Sequence, residues 1–358
     1  MEDHSLSIFS TAWIDGEIDN FHELAELYED KKWMFFLDTN FVIYARNYLY
    51  DKDAWSKLNP SLQNEFLSAV NIIKKWSNRI IYPYACEEAS RDKKTGNLNP
   101  EKYGELVGCL EELFDESYCK EILSDNPPLD TDLSCTKIPL LRGNGLFTML
   151  SALSYAATLK AYIMKHFIKH ANNKEKIRNY FTFLDKELNA FSPMQIIFSI
   201  HYLGNESNIL RKTSPTKGIT EILNKLYAAA IDLQMPTKAS QLSEKSGYQE
   251  IPIFVTFDKG SKLIFDSLLI QESQGTLNNQ ASLPSYSFKI LYSSGWKNND
   301  IKELSQLAQS ISKERMLKGK RADFNLDRIL NICSLLEKEL IKHMEMISDY
   351  PNKSLSIN

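Results

Sequence analysis

Short apolar runs alternate with amphipathic segments of helical period along this chain. Four runs of five or six residues show little polar alternation, which is typical of strands that are buried on both faces. They cover residues 33–37, 79–83, 251–256 and 287–292. Between them, segments 64–77 and 218–234 carry apolar residues at helical spacing. Parallel strands need long crossover connections of this kind, so the pattern predicts an α/β fold with a parallel sheet.

The rest of the chain is dominated by helical patterns. Helical periodicity extends over residues 101–123, 146–171, 174–189 and 193–203. Two further helical patterns lie within 298–348, on either side of a basic loop at 318–321. Residues 235–247 open with Met235 and Pro236 and contain several Ser and Lys residues. This composition predicts a loop.

These patterns divide the chain into four parts. We expect an acidic N-terminal extension, a parallel-sheet domain in two segments, a large helical insertion between the second and third strands, and a C-terminal helical region. The corresponding residues are 1–32, 33–94 with 218–295, 95–217 and 296–358.

The composition narrows the class of protein. The chain has 358 residues, of which 43% are hydrophobic, as in an ordinary globular protein. Its five cysteines are odd in number and nowhere spaced C-x-x-C, which favours reduced thiols over a disulfide framework or a zinc site. No basic and apolar secretory signal opens the chain, and Lys160 and Lys165 interrupt its longest apolar stretch. We therefore expect a cytoplasmic protein that does not contact a membrane.

The net charge of −4 is unevenly distributed. Residues 1–30 contain nine acidic residues and no Lys or Arg, and residues 101–132 contain ten acidic residues against Lys102 and Lys120. The remainder of the chain is therefore basic, which permits a polyanionic partner such as nucleic acid without requiring one. Residues 1–30 are a candidate autoinhibitory or partner-binding arm. The sequence is also compatible with a regulatory protein partner or with a homo-oligomer.

The first candidate for chemistry is Asp38, which ends the first apolar run. The motif Asp38-Thr39-Asn40 leads directly into an apolar helix start. Ligands of α/β proteins bind at the carboxyl ends of parallel strands, and Thr39 and Asn40 are residues that cap helices. Asp38 is therefore either a functional carboxylate or simply an N-cap.

A second strand ends in the same way. Thr256 and Asp258 follow the apolar run 251–256, and a turn glycine and a helical segment come next. Two carboxylates at the ends of parallel strands can converge, and a divalent cation between them would stabilise both. The pair Asp38 and Asp258 therefore favours a metal site.

Two weaker features lie between these strand ends. Glu87 and Glu88 occupy a helix opening behind Pro83, where glutamates also occur simply to complement the helix dipole. The helix from Asn224 to Asp232 contains small residues that permit close packing on a sheet.

Together, and in this order, these residues resemble the PIN domain, a metal-dependent ribonuclease fold. The resemblance covers residues 33–94 and 219–295, which is under half of the chain. It implies that three or four acidic residues hold Mg²⁺ or Mn²⁺ and activate a water molecule that attacks the RNA phosphodiester. By this resemblance, Asp38 is the first catalytic and metal-binding acid, Glu88 the second with Glu87 as its alternative, and Asp258 the last.

The third acidic position departs from the family pattern. The alignment puts Asn224 there, while Asp232 lies eight residues later, within about 80° of it around the helix. We favour Asp232 as the catalytic and metal-binding acid, because nothing else explains a charge between Ile231 and Leu233. If Asn224 fills the position instead, metal affinity or activity is in doubt.

The chemistry of the site follows from its ligands. Carboxylate oxygens suit Mg²⁺ and Mn²⁺, and two such ions would stabilise the attacking and leaving oxygens of an in-line displacement. Asn40 and Thr256 would orient the carboxylates or a water molecule.

Two basic runs are candidates for substrate contacts. The residues expected to bind substrate are Lys160, Lys165, Lys169, Lys318, Lys320 and Arg321. Tyr155, Tyr162, Phe167 and Tyr180 lie near the first run and have rings that stack on bases. A solvated helix face would give the same pattern.

Three functions fit these residues. The first is a PIN-like endoribonuclease that hydrolyses RNA phosphodiester bonds. The second keeps the fold and acts on structured DNA. The third is a catalytically degenerate PIN-like scaffold that binds a protein or nucleic-acid partner, and Asn224 favours it. The sequence distinguishes neither the substrate sequence nor a pathway such as toxin action, RNA processing or defence.

Overall fold

A computed structural model describes residues 7–10, 26, 32–92, 98–115, 146–204, 210, 213–245, 250–257, 264, 296–320 and 325–348. The chain forms two compact units. Unit 1 comprises Met1–Leu129 and Gln234–Ser287, and unit 2 comprises Asp130–Leu233 and Phe288–Asn358. The C-terminal helices therefore share a unit with most of the predicted insertion, whereas residues 95–129 belong with the sheet.

Unit 1 is built on a four-stranded sheet. Its strands are β1 (Ser7–Ser10), β2 (Lys32–Leu37), β3 (Ser77–Ile81) and β4 (Glu250–Thr256), in the spatial order β1-β4-β2-β3. Strand β2 is parallel to both β3 and β4, and β1 is antiparallel to β4. The prediction of an α/β fold with parallel strands is confirmed for β2, β3 and β4. The sequence did not predict β1, and the predicted strand 287–292 lies outside the described residues.

Five helices of unit 1 cover this sheet and each other. They are α1 (Thr39–Tyr50), α2 (Lys52–Ser56), α3 (Pro60–Trp76), α4 (Pro83–Ser90) and α5 (Pro100–Phe114). Proline opens α3, α4 and α5, where its missing N–H costs no hydrogen bond. Helix α1 contacts α4 and α5, and α4 contacts α5.

The core of unit 1 is aromatic. Phe41 lies within 5.0 Å of Phe66, 6.1 Å of Phe114 and 6.2 Å of Phe257, measured between ring centroids. All four side chains are almost fully buried. Because Phe41 lies one turn into α1 and Phe257 directly follows β4, this cluster fixes the start of α1 against the end of β4.

Unit 2 is helical throughout its described residues. Its helices are α6 (Leu146–His166), α7 (Asn173–Thr182), α8 (Pro193–Leu203), the first part of α9 (Ile219–Lys245), α10 (Asn298–Leu317) and α11 (Leu326–Ser348). A π-helical turn, Phe183–Glu187, follows α7. Helix α6 packs against α11, α8 and α7, and α7 packs against α8 and α10. None of the helices in the described ranges is long and apolar enough to span a bilayer.

The predicted loop at 235–247 is wrong, because α9 continues through it to Lys245. A proline removes one helical N–H but its φ angle is helical, so tertiary packing can carry a helix past it. Met235 is fully buried directly before Pro236, and this burial favours the continued helix over a turn.

The described cysteines are thiols, as the sequence predicts. Cys86, Cys109 and Cys333 are free and buried. Burial raises the pKa of each, so these thiols are protonated at neutral pH and behave as core residues.

Candidate functional site at the carboxyl edge of the sheet

Asp38 is a buried carboxylate at the carboxyl end of β2. The five preceding residues of the strand are buried, and Asp38 itself is 4% exposed. Its Oδ1 accepts a hydrogen bond of 2.7 Å from the backbone N–H of Thr39, so it caps α1. The backbone N–H of Asp38 donates to the carbonyl oxygen of Val255 on β4. Asp38 is thus both an N-cap and a carboxylate at the ligand-binding edge of a parallel sheet.

Thr256 orients the Asp38 carboxylate from the neighbouring strand. In the parallel register of β2 and β4, Leu37 pairs with Val255, so the next residues of the two strands come together. Thr256 Oγ1 donates a 2.7 Å hydrogen bond to Asp38 Oδ2, and Thr256 is 1% exposed. Asn40 Nδ2 lies 3.4 Å from the same oxygen. Both residues expected to orient the carboxylate therefore contact it.

Glu88 is joined to Asp38 through Thr39. Thr39 Oγ1 donates a 2.6 Å hydrogen bond to Glu88 Oε2, while its backbone N–H binds Asp38. Glu88 lies on α4, which follows β3 and packs against α1. The sequence predicts that Thr39 caps the helix and orients Asp38, but nothing in its spacing indicates that its hydroxyl group reaches Glu88.

Glu87 has a different environment from Glu88. Its carboxylate forms an ion pair with Arg91, one helical turn later on α4. The expectation that the two glutamates open this helix is wrong, because α4 begins at Pro83 and they lie in its second turn, away from the start of the helix dipole. Glu88 is the one that shares a hydrogen-bonded link with Asp38. This geometry supports Glu88 over Glu87 as the second acid of a site.

The charge of Asp38 acts on an aromatic neighbour. Burial raises the pKa of Tyr44, and the negative charge of Asp38 raises it further. The Tyr44 ring packs edge-on against Phe257 at 5.2 Å. One flank of the carboxylate is therefore apolar and aromatic, and interactions with its charge are stronger there than they are in water.

The remaining predicted site residues are Asn224, Asp232 and Asp258. Asn224 and Asp232 are half-buried residues of α9 in unit 2, whereas Asp38 and Glu88 belong to unit 1. Asp258 lies outside the described residues. The choice between Asn224 and Asp232, and the role of Asp258, stay predictions.

The donor set at the sheet edge suits a hard cation. Asp38 and Glu88 present carboxylate oxygens and Thr39 a hydroxyl oxygen, with no sulfur or imidazole in their hydrogen-bonded link. A carboxylate has about four acceptor positions, so the hydrogen bonds to Asp38 are compatible with coordination of Mg²⁺ or Mn²⁺. Over the ranges that the structure describes, no three His, Cys, Asp or Glu side chains form a metal-binding group. A complete site would need Asp258 or another acid.

The predicted substrate-binding residues have three different environments. Lys160 lies 3.6 Å from Glu339, and Lys318 pairs with Glu314. Lys165 instead donates to the backbone carbonyl of Tyr202 at 2.7 Å. Lys169 and Lys320 are exposed, and Arg321 lies outside the described residues.

Comparisons of this chain with protein-family models, with curated proteins and with solved structures found no match.

Proposed function

We propose that this chain is a PIN-like, metal-dependent endoribonuclease whose active site lies at the carboxyl edge of the unit 1 sheet. The observation that supports it most is the buried Asp38 carboxylate, held by Thr256 from the neighbouring strand and linked through Thr39 to Glu88. An isolated carboxylate is costly to bury. Buried carboxylates held in place at a strand end are typical of ligand sites in α/β proteins.

The proposed metal ligands are Asp38, Glu88, Asp258 and Asp232. A bound Mg²⁺ or Mn²⁺ would lower the pKa of water and neutralise charge on the phosphodiester. Thr256 and Thr39 fix the orientation of Asp38 and Glu88 by hydrogen bonds to their oxygens. This preorganisation keeps the carboxylates from rotating away when a phosphate group approaches.

A nuclease assay tests this proposal. Wild type, Asp38→Asn and the control Asp53→Asn are incubated with labelled single-stranded RNA in Mn²⁺, Mg²⁺ or EDTA. Asp53 is an exposed carboxylate of the same unit, so its variant tests for a nonspecific effect of charge. We expect cleavage with metal by wild type and Asp53→Asn, and a loss of about 100-fold or more in Asp38→Asn, as for removal of a group that acts in the transition state.

The assay also decides between substrates. A matched DNA substrate, single-stranded and with a flap, is run in parallel. Cleavage of DNA in preference to RNA would replace the ribonuclease by the structure-specific DNA nuclease. Equal cleavage by wild type and Asp38→Asn would reject the site.

A catalytically degenerate PIN-like scaffold is the second candidate, and Asn224 favours it. Asparagine at the third acidic position supplies a neutral oxygen and one charge less for a divalent cation. Replacement of Asn224 by Asp would then increase Mn²⁺ affinity, whereas an enzyme that uses Asp232 would be little changed by it.

A further inference from the structure

Unit 2 brings two lysine side chains together, the half-buried Lys165 and the buried Lys176. Lys165 lies in the last turn of α6 and Lys176 in the first turn of α7. Lys176 Nζ lies 3.3 Å from the carbonyl oxygen of Lys165, and Lys165 Nζ lies 2.7 Å from that of Tyr202. Lys176 is only 9% exposed. We call Lys165, Lys176, His166 and Tyr162 the lysine cluster.

The cluster differs from the basic residues around it in having no acidic partner. Lys174 pairs with Asp300 at 3.0 Å and also with Glu303, which pairs with Arg178 as well. Among the residues that the structure describes, no carboxylate lies within ion-pair distance of Lys165 or Lys176. Buried cations normally have an anionic partner, and Lys165 and Lys176 have none among the described residues.

The electrostatics of the cluster agree with this deficit. Burial, and then the charge of Lys176, lower the pKa of Lys165 to about 8. Burial likewise lowers the pKa of Lys176. Burial, followed by the charges of Lys165 and Lys176, lowers the pKa of His166 to about 4, so this imidazole is neutral at pH 7. Burial is the largest cause of every shift, and each shift is in the direction that burial of a cation without an anionic partner produces.

A hydroxyl group at the cluster also lacks a hydrogen bond. Tyr162 is fully buried, and its Oη has no hydrogen-bond partner within the described structure. Its ring centroid lies 4.4 Å from that of His166. Tyr202 also contacts the cluster, since its hydroxyl lies 3.2 Å from His166 Nε2 and its ring lies 4.1 Å from Lys165 Nζ. Buried hydroxyl groups without partners are uncommon and call for an explanation.

We propose that the lysine cluster binds a phosphate monoester group. A phosphate dianion matches the two ammonium charges, and its oxygens accept hydrogen bonds from ammonium and from the Tyr162 hydroxyl. Each ammonium has three donors and uses one on a backbone carbonyl. This site does not rest on the proposed nuclease, because its residues belong to unit 2 and Asp38 belongs to unit 1.

Calorimetric titration of the full-length protein tests the proposal. The buffer contains EDTA, so that phosphate cannot bind through a metal ion. The ligands are inorganic phosphate, adenosine 5′-monophosphate, and one oligoribonucleotide prepared with a 5′-phosphate or a 5′-hydroxyl. The proteins are wild type, Lys165→Met, Lys176→Met and Lys174→Met. Lys174 is the matched control, since it lies on the same helix as Lys176 and its charge is already neutralised by Asp300 and Glu303.

Wild type should bind the phosphate monoester, and Lys165→Met or Lys176→Met should weaken binding about tenfold or more, the value of one charge-assisted hydrogen bond. Lys174→Met should stay within about twofold of wild type, because its ion pairs are partly exposed. Asp38→Asn should bind the ligand as wild type does. Binding of the mononucleotide alone identifies a small-molecule ligand, and tighter binding of the 5′-phosphorylated oligonucleotide identifies an RNA end.

Three results would overturn the proposal. The first is that wild type binds neither adenosine 5′-monophosphate nor the 5′-phosphorylated oligonucleotide. A dissociation constant above about 10 mM counts as no binding, because so weak an affinity does not indicate a specific site. The second is equal binding by wild type and both methionine variants. The third is measurable binding of both the 5′-phosphate and the 5′-hydroxyl oligonucleotide with equal affinity, since the phosphate would then contribute nothing. If circular dichroism shows that a methionine variant does not fold, the wild-type titration decides in its place. Lys176→Arg, which keeps the charge, must then bind the phosphate monoester as well.

Discussion

The two units hold their buried charges in different ways. In unit 1, Asp38 lies at a strand end, where the register of β2 and β4 brings the Thr256 hydroxyl onto its carboxylate. In unit 2, the half-buried Lys165 and the buried Lys176 lie where α6, α7 and α8 pack together, and backbone carbonyls are their hydrogen-bond acceptors. Strand pairing thus positions the first charge, and helix packing positions the other two.

This difference has a functional consequence. A carboxylate held by hydroxyl and amide donors is suited to a cation, whereas two ammonium groups near one another are suited to an anion. The sheet edge of unit 1 is therefore the candidate site for a metal and its chemistry, and the lysine cluster of unit 2 is the candidate site for a phosphate group. Four substitutions test whether the stability and the candidate site of each unit depend on that unit's own interactions.

The largest expected effect is on the aromatic core of unit 1. Phe66 is fully buried, with ring centroids at 5.0 Å from Phe41 and 5.5 Å from Trp55. Phe66→Ala should destabilise unit 1 by about 3–5 kcal/mol through the cavity that it leaves. Hydrogen exchange should show lost protection in β2 and α1 and little change in α6 and α11. Ile43→Ala, on the exposed face of α1, is the control. An equal loss of protection in both units of Phe66→Ala would contradict two separate cores.

The second effect concerns a buried ion pair of unit 2. Arg315 Nη1 lies 2.7 Å from Asp185 Oδ1, and its other nitrogen donates to Asn189. Arg315→Met should destabilise unit 2 by about 3 kcal/mol, because it leaves the Asp185 carboxylate buried without this partner. Lys186→Met, which removes the exposed partner of the same carboxylate, should cost under about 1 kcal/mol. Similar losses for both variants in a denaturant titration would show that burial does not matter here.

The third effect is acid sensitivity confined to unit 2. Burial lowers the pKa of His201 to about 4, against 6.5 in an unfolded chain. Between these values the unfolded state binds the extra proton, so stability is present above pH 6.5 and falls as the pH drops towards 4. A shift of this size corresponds to roughly 3 kcal/mol.

Unit 1 has no histidine in its described residues, so hydrogen exchange between pH 7 and 4.5 should show unit 2 losing protection first. His201→Leu should weaken that dependence without abolishing it, because the lowered pKa of His166 contributes in the same direction. The exposed His170→Gln should leave it unchanged. An identical pH dependence in wild type and His201→Leu would refute the role of this burial.

The smallest effect concerns the orientation of Asp38. Thr256→Val keeps the side-chain shape but removes the 2.7 Å hydrogen bond to Asp38 Oδ2. We expect a loss of about 1–2 kcal/mol, seen as a roughly tenfold lower cleavage rate, since the carboxylate loses one donor. Thr256→Ser keeps the hydroxyl group and should retain most of the rate. A Thr256→Val enzyme with full activity would show that the contact does not orient the carboxylate.

Much of the unit 1 fold could be predicted from the sequence because its strands are continuous apolar runs. The runs that contain Phe35, Ile80 and Phe254 form β2, β3 and β4. Strand β1 could not be predicted, since it is a four-residue edge strand within an acidic segment. The continuation of α9 past Pro236 was also missed, because local propensity favours a break and tertiary burial of Met235 overrides it.

The candidate sites show the same limit of prediction from sequence, namely that contacts set by tertiary packing are missed. The contact of Thr256 with Asp38 follows from strand ends that meet at one edge of a parallel sheet, so the sequence indicated it. The Thr39 link to Glu88 depends on how α1 and α4 pack, and no spacing encodes it. The sequence likewise shows a uniform basic run over α6 and α7, and only packing separates the paired Lys174 from the buried Lys165 and Lys176.

The most direct test of the central claim, a metal-dependent catalytic site at the sheet edge, is calorimetric titration of Mn²⁺ into wild type and Asp38→Asn. Wild type should bind Mn²⁺, Asp53→Asn should bind it equally, and Asp38→Asn should weaken binding about tenfold or more, because one anionic ligand is lost. Wild type that binds no Mn²⁺, or Asp38→Asn that binds it as wild type does, would contradict the claim.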